Sequence, residues 1–331
     1  MSSPQPYTLC IAGAGFEGAT VQVSELPQLQ RLLALLEGPR LLHPAPDDDA
    51  SALPSWPHED IWADALGWAG LPAHQRPWAA LNWSQERELP TTHAWLTLTH
   101  WQLDFRSARA LHPAALPLTE TQGSILARVC DEYLQPEGLR VDQFKRHTWL
   151  PHTWLLSGEG LTGLGTAPVH GLWNRPAPRE ALAFSGPDAK RFQRLTHELE
   201  MHLSQHPGLN QVLAQVNPRP NGVLIHGAGT LRAIPSALER GHRFYLEDRL
   251  LPSATQGEAA AHAQAWQLVD DDCLTSYVTG VEDGLLDLTL ILTGPRQALQ
   301  WCGSKPSALR QWRRRWANRW RAQLTLVLGD L

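Results

Sequence analysis

Two stretches decide the fold class: residues 185–206, with the sequence SGPDAKRFQRLTHELEMHLSQH, and residues 223–230, with the sequence VLIHGAGT. The first predicts an amphipathic helix, because Phe192, Leu195 and Leu199 recur on one helix face and Pro187 suits a first turn. The second predicts a buried strand that ends in a glycine turn. A helix followed directly by a buried strand is typical of an α/β protein.

The same alternation continues on both sides of these stretches. Apolar periodicity and turn residues predict further strands at 7–12, 94–105, 138–144, 147–156, 243–247 and 285–292, and further helices at 24–38, 61–71, 119–134 and 258–269. The acidic residues 270–272 predict a turn after the last of these helices. We therefore predict an α/β fold with a mixed or mostly parallel sheet flanked by helices.

Two irregular segments divide the chain. Residues 39–60 contain five prolines, and residues 158–187 contain six glycines and four prolines. We expect an N-terminal α/β part over 1–157, rich in Pro and Trp and with a Pro-rich loop at 39–60, a connection at 158–187, and a C-terminal α/β part over 188–331. The length of 331 residues is compatible with one large domain or with two smaller ones.

Composition excludes several classes of protein. Charged residues make up 18% of the chain and apolar residues 43%, which is typical of a folded protein rather than a disordered one. The four cysteines are far apart and form no CxxC pair, so a reducing cytoplasm is the expected location. No apolar run is long enough for a membrane span. The net charge of −5 excludes a polyanion-binding surface over most of the molecule.

The segment from Gly13 to Gly18 has the glycine spacing GxGxxG. In a dinucleotide-binding fold such glycines open a helix directly after the first strand. Here residues 20–23 are expected to be extended, so a strand-to-turn role is favoured over dinucleotide binding.

The helix at 185–206 offers candidate metal ligands. Glu198, His202 and His206 follow at intervals of four residues, so they project from nearly one face and suit a divalent metal. The simpler interpretation is structural, with Glu198 paired to His202 and His206 capping the last carbonyl groups. Glu247 and Asp248 follow a predicted strand and are either further metal ligands, an acid/base pair or solvated side chains.

The glycine turn after the strand at 223–225 is the candidate ligand site. Ligands of open α/β sheets bind at the carboxyl ends of strands, where free N–H groups of a glycine turn hold an anion. The candidate residues of this site are Asn221, His226, Gly227, Gly229, Thr230 and Arg232, with Arg232 as the counter-charge. The alternative is a turn in which glycine only supplies a positive φ.

The C-terminal segment is basic and aromatic. Residues 305–321 carry seven basic residues and no acidic one, and Trp312, Trp316 and Trp320 repeat at helical spacing in a predicted helix at 306–321. The favoured interpretation is that the Trp stripe, three of the fifteen Trp residues of the chain, packs on the fold. Contact with nucleic acid or membrane is the alternative.

Several of these residues together resemble the RpfE-type regulatory proteins, whose pattern is a helix with NE-x-x-M and a closing HP, then an NSLW-x-WGGG strand and turn. The matching residues are Glu198, Met201, His206, Pro207, Asn221, Gly227 and Gly229. The departures are His197, Gly222, His226 and Ala228, and the likeness is strongest over residues 185–229.

The resemblance implies two functions. The first is a cytoplasmic regulatory protein that binds a small anion or a protein partner near Gly227. The second follows because this family is often labelled as similar to cofactor-independent phosphoglycerate mutases, which have an alkaline-phosphatase-like fold, two metal ions and a Ser or Thr nucleophile. This second function is that of a divergent phosphoryl-transfer enzyme with Thr230 as candidate nucleophile. Whether the protein is an enzyme stays open. Gly186 to Asp188 match a mutase GPD motif, but the His that follows it there is missing.

Overall fold

The computed structural model describes residues 4–19, 21, 25–43, 55–84, 89–103, 108–177, 182–235 and 243–303. The chain forms two compact units. Unit 1 contains residues 1–48, 56–65 and 240–331, and unit 2 contains residues 49–55 and 66–239. The basic helix predicted at 306–321 and the predicted helix start at Ser24 lie outside the described residues.

The regular elements follow one another along the chain. The strands are β1 Gln5–Ile11, β2 Glu37–His43, β3 Thr91–Thr99, β4 Trp101–Leu103, β5 Ala108–Ala110, β6 Arg140–Arg146, β7 Thr153–Ser157, β8 Pro176–Ala177, β9 Gly222–Leu231, β10 Phe244–Glu247, β11 Leu286–Thr293 and β12 Ala298–Gly303. The helices are α1 Pro27–Leu35, α2 Pro57–Ala65, α3 Trp78–Ser84, α4 Glu120–Leu134, α5 Ala189–Gln205, α6 Pro207–Val212, α7 Leu251–Gln256, α8 Ala259–Leu268 and α9 Thr275–Glu282.

Unit 1 is built on a five-stranded mixed sheet with the order β10-β1-β11-β12-β2. Strands β10, β1 and β11 are parallel, and β12 is antiparallel to both β11 and β2. Alternate residues of β1, including Leu9 and Ile11, join a core with Leu29 of α1 and Trp266 of α8. The predicted mixed sheet flanked by helices is therefore confirmed.

The acidic residues 270–272 do not form the predicted turn. The backbone continues from α8 through a π-helical segment, Val269–Leu274, into α9. This places the buried Asp270 carboxylate where it accepts hydrogen bonds from the N–H groups of Gln28 at 3.0 Å and Leu29 at 2.7 Å. Because the first N–H groups of a helix have no partner within it, Asp270 caps α1 across the sequence.

Unit 2 is built on a four-stranded antiparallel sheet with the order β6-β7-β3-β9. Helices α4 and α5 supply the core of one face, where Leu96 and Leu98 of β3 meet Leu126 and Phe192. The opposite face carries Trp95, Thr97 and other alternate residues, because successive side chains of a strand point to opposite sides. A small antiparallel sheet, β4-β5-β8, completes the unit.

Residues 158–187, predicted as a connection, lie within unit 2. Leu161 and Leu164 join the core beneath α4 and α5, and Val169 and Leu172 join a second cluster with Leu224 of β9. The described part of this Gly- and Pro-rich segment therefore contributes to the interior of one folded unit.

Candidate functional site

Unit 2 contains a cavity of about 320 Å³ between the first turns of α4 and the residues that precede β7. Its walls are formed by Glu120, Gly123, Ser124, His147, Leu150, Pro151, His152 and Trp154. The set combines apolar side chains with two imidazoles, one hydroxyl and one carboxylate. It can hold a small molecule by apolar contact and orient it through a few polar groups.

Helix α4 fixes one wall of the cavity. Its start is a capping box, in which the Thr119 hydroxyl accepts from Gln122 N–H at 3.2 Å and the Gln122 side chain accepts from Thr119 N–H at 2.9 Å. This confirms the predicted helix start. With the first turn held in this way, Glu120, Gly123 and Ser124 present a rigid surface to the cavity.

The opposite wall is a turn at residues 147–152, where the sequence predicted a continuous strand. His152 has a φ of 53°, a left-handed conformation that few non-glycine residues adopt. Its carbonyl accepts from Leu98 N–H at 3.0 Å, which ties the turn to β3. Gly123 lies opposite it, and a Cβ there would make a tight contact of 3.3 Å with His152 Nδ1.

His147 lines the cavity as a neutral imidazole. Burial lowers its pKa, and the nearby His170 lowers it further, to about 3. Its Nδ1 accepts hydrogen bonds from the N–H groups of Trp149 at 3.4 Å and Leu150 at 3.3 Å. A nitrogen that accepts carries no proton, so the single proton of the neutral ring is on Nε2.

A layer of buried polar side chains lies on the sheet face next to His147. The Thr97 hydroxyl is 2.8 Å from the Thr153 hydroxyl and 2.8 Å from His226 Nε2. The His147 ring lies 6.5 Å from the His226 ring and 5.0 Å from the Trp95 ring, measured between centroids. Hydrogen bonding within this layer stabilises the sheet face and keeps the imidazoles in fixed positions.

The predicted glycine turn at 227–230 is wrong. Strand β9 continues through these residues and pairs with β3, so that Gly229 is opposite His93 and Thr230 is opposite Thr92. A register shift in the ladder lies at Gly227, whose φ is 59°. Ala228 N–H donates to Thr166 Oγ1 at 3.3 Å, and Gly229 is packed against Pro77, where a Cβ would lie 2.8 Å from Pro77 Cβ. Gly229 therefore serves strand pairing and packing, and Gly227 lies at the register shift, so the two glycines do not form the predicted turn.

The other predicted ligand residues also have structural contacts. Asn221 receives a hydrogen bond from Trp101 N–H at 2.6 Å and donates to the Trp101 carbonyl at 3.2 Å, which joins β9 to β4. The Thr230 hydroxyl is 2.8 Å from that of Thr92. Arg232 is exposed just after the end of β9. His226 is the one predicted ligand residue that belongs to the polar layer next to His147.

The predicted metal ligands on α5 are bound to other side chains. Glu198 accepts from Arg194 at 2.7 Å and from the Tyr133 hydroxyl at 3.1 Å, rather than pairing with His202. The His202 ring packs between Tyr133 and His206, at centroid distances of 4.9 and 5.3 Å. Burial, and then His206, lower the pKa of His202, which favours its neutral form.

Glu247 and Asp248 belong to unit 1, and Glu198, His202 and His206 belong to unit 2. Burial alone would raise the pKa of Glu247, but hydrogen bonds from Arg249 outweigh it and hold this pKa below its usual value. The two Arg249–Glu247 contacts are both 2.8 Å long and form a bidentate pair. Among the described residues, no group of three His, Cys, Asp or Glu side chains is arranged to hold a metal ion.

Sequence reasoning missed Ser124, His147 and His152. The available signal was the run His147-Thr-Trp-Leu-Pro-His152, in which a proline and two histidines interrupt a predicted strand. Proline is disfavoured in the interior of a strand, so this run indicated a turn that carries two imidazoles. Within the described ranges, no helix is both long and apolar enough to cross a bilayer.

No protein-family model and no curated protein matches the chain. Among solved structures, the chain is similar to a cofactor-independent phosphoglycerate mutase from Thermoplasma acidophilum DSM 1728. The sequence identity is 14%, the TM-score is 0.31, and 90% of each chain is covered. A TM-score this low carries no argument, so the α/β class rests on the strands and helices described above. The RpfE-type resemblance stays a prediction.

Proposed function

We propose that this protein is a regulatory protein that binds a small organic molecule in the cavity of unit 2. The regulatory role is implied by the resemblance of residues 185–229 to the RpfE-type proteins. The ligand is assigned to the cavity rather than to Gly227 and its neighbours, because Gly227 and Ala228 lie at a register shift inside strand β9 and Gly229 and Thr230 pair with β3.

The cavity itself carries this proposal. Its volume of about 320 Å³ is at the lower end of the roughly 300 to 1,000 Å³ that ligand pockets occupy. Its lining has the composition of such pockets, with the Trp154 indole and Leu150 beside a small number of polar groups. The left-handed backbone conformation of His152 also supports a ligand site here, because unusual backbone conformations cluster at functional sites.

A thermal-shift screen tests the proposal with two sets of probes. The first set contains the uncharged heterocycles nicotinamide, adenine and indole. The second contains 3-phosphoglycerate and glucose 6-phosphate, which represent the anionic ligand predicted from the sequence. A ligand at one hundred times its Kd stabilises the folded chain by about 2.7 kcal/mol, which is readily measured.

A pair of variants locates the binding. Ser124→Phe fills the cavity, whereas Thr121→Phe adds the same side chain at an exposed position of α4 that does not line it. We expect stabilisation by at least one probe in the wild type and in Thr121→Phe, and none in Ser124→Phe. The proposal fails if no probe stabilises the wild type or if the effect survives in Ser124→Phe.

The alternative function is a metal-dependent phosphoryl-transfer enzyme, and it rests on the sequence resemblance alone. Its candidate nucleophile Thr230 is hydrogen-bonded to Thr92. Hydrolysis of p-nitrophenyl phosphate with Mn²⁺ or Mg²⁺, compared between wild type and Thr230→Val, tests it. Turnover that requires the metal and is lost in Thr230→Val would favour this function over the first one.

A further inference from the structure

We infer that the cavity selects an uncharged aromatic heterocycle whose ring nitrogen accepts a hydrogen bond from Nε2–H of His147. This inference rests on the proposed function and adds the chemical class of the ligand. It gives His147 the role of a specificity-determining residue.

The backbone fixes which nitrogen of His147 carries the proton. Both N–H groups directed at Nδ1, those of Trp149 and Leu150, come from the turn that begins at His147. Rotating the ring to exchange its nitrogens would leave these N–H groups without their acceptor. Nε2–H makes no hydrogen bond with any described residue, so it is a donor that remains for a ligand.

The charges around the cavity disfavour an anion. None of its lining residues is Lys or Arg, and Glu120 contributes a carboxylate. Burial and the neighbouring His170 keep His147 neutral over the physiological pH range. An anion entering the cavity would lose its hydration without gaining a cationic partner.

The shape of the lining favours a flat ligand. The Trp154 indole and the imidazoles of His147 and His152 offer aromatic surfaces within one small volume. Aromatic rings pack well against such surfaces, and a ring nitrogen with a lone pair in the plane meets an N–H donor edge-on. Pyridine has this geometry, and benzene has the same shape without the acceptor.

NMR titration of the ¹⁵N-labelled full-length protein with pyridine and with benzene tests the inference, with benzoate as an anionic probe. We expect both neutral rings to shift the amide signals of Gly123 and Ser124, with pyridine bound two- to tenfold more tightly, the range of one net hydrogen bond. Benzoate should bind more weakly than pyridine. The imidazole ¹⁵N signals of His147 should show the proton on Nε2 without any ligand.

Two variants separate the donor from the turn. In His147→Asn the side-chain oxygen replaces Nδ1 as acceptor for the turn amides but supplies no donor at the position of Nε2. In His147→Gln the side-chain amide reaches that position and can donate. We expect the preference for pyridine over benzene to be lost in His147→Asn and kept in His147→Gln.

The outcomes distinguish this inference from the proposed function. Equal binding of pyridine and benzene, benzoate bound as tightly as pyridine, or a proton on Nδ1 overturns the inference and leaves the cavity as a ligand site. No saturable shift at Gly123 and Ser124 with either neutral ring, together with no hit in the thermal-shift screen, overturns both.

Discussion

The two units differ in the carboxylates that they bury: among the described residues, Glu59, Glu247 and Asp270 are buried in unit 1 and none is buried in unit 2. In unit 1 the buried Glu247 is paired with Arg249 and the buried Asp270 caps α1, so these carboxylates have partners within the fold. In unit 2 the buried polar groups are mostly imidazoles and hydroxyls, the buried Trp95 keeps an N–H that bonds to no described residue, and so does the half-buried His147. Because His147 lines the cavity of unit 2, its N–H is available to a ligand or an ordered water there.

Acid should destabilise unit 2 most strongly. Burial lowers the pKa of both His112 and His147 to about 3, and His170 adds to both shifts. In the unfolded chain these histidines have pKa values near 6.5, so between about pH 6.5 and 3 the unfolded state binds more protons. Stability is therefore complete above this window and decreases as the pH falls through it.

Each of these histidines contributes a slope of about 1.4 kcal/mol per pH unit within that window. Urea unfolding followed by Trp fluorescence at pH 7.5, 5.5 and 4.5 measures the slope. His112→Gln should reduce the slope by about 1.4 kcal/mol per pH unit, which corresponds to one proton, and the double variant with His147→Gln should reduce it by about twice as much. If the slope is the same in all three proteins, these imidazoles are not buried in neutral form.

Removing the cation of the buried pair should be the largest single-residue effect in unit 1. Arg249→Ala leaves the Glu247 carboxylate, which is 1% exposed, without its partner, and such changes cost about 3 kcal/mol. The control is Arg31→Ala, which removes an exposed pair with Glu282 and should cost less than about 1 kcal/mol. Equal costs in urea unfolding would show that the Glu247 pair is not buried.

A smaller loss is expected when the cap of α1 is removed. Asp270→Ala deletes two charge-assisted hydrogen bonds to Gln28 and Leu29, which should lower the free energy of unfolding by about 2 kcal/mol. Asp271→Ala, at the exposed neighbouring position, should change it by less than about 0.5 kcal/mol. Hydrogen exchange of the Leu29 amide gives an independent measurement, and unchanged protection in Asp270→Ala would contradict the cap.

Local sequence patterns predicted the elements whose signals are local. Apolar periodicity and turn residues located α4, and the apolar face that carries Phe192, Leu195 and Leu199 located α5. The alternation of strands and helices correctly predicted the fold class. These signals depend on residues within one or two helical turns of each other, so no knowledge of tertiary contacts was needed.

The cavity proposed as the ligand site depends on contacts between distant residues, which is why local sequence patterns did not point to it. Gly227 and Gly229 suggested a turn, but pairing with β3 and packing against Pro77 keep them in a strand. His147 and Ser124 are 23 positions apart in sequence and line the same cavity because the residues around the start of β7 pack against α4. Residues 270–272 likewise form a π-helical segment that positions Asp270 against α1, a contact that no local pattern contains.

The most direct test of the difference between the units is a map of amide chemical shifts in the full-length protein titrated with pyridine. The account predicts saturable shifts at residues 120–124 and 147–154 of unit 2 and none at residues 245–249 and 270–274 of unit 1. Shifts of equal size in both sets of residues, or no saturable shift around the cavity, would contradict it.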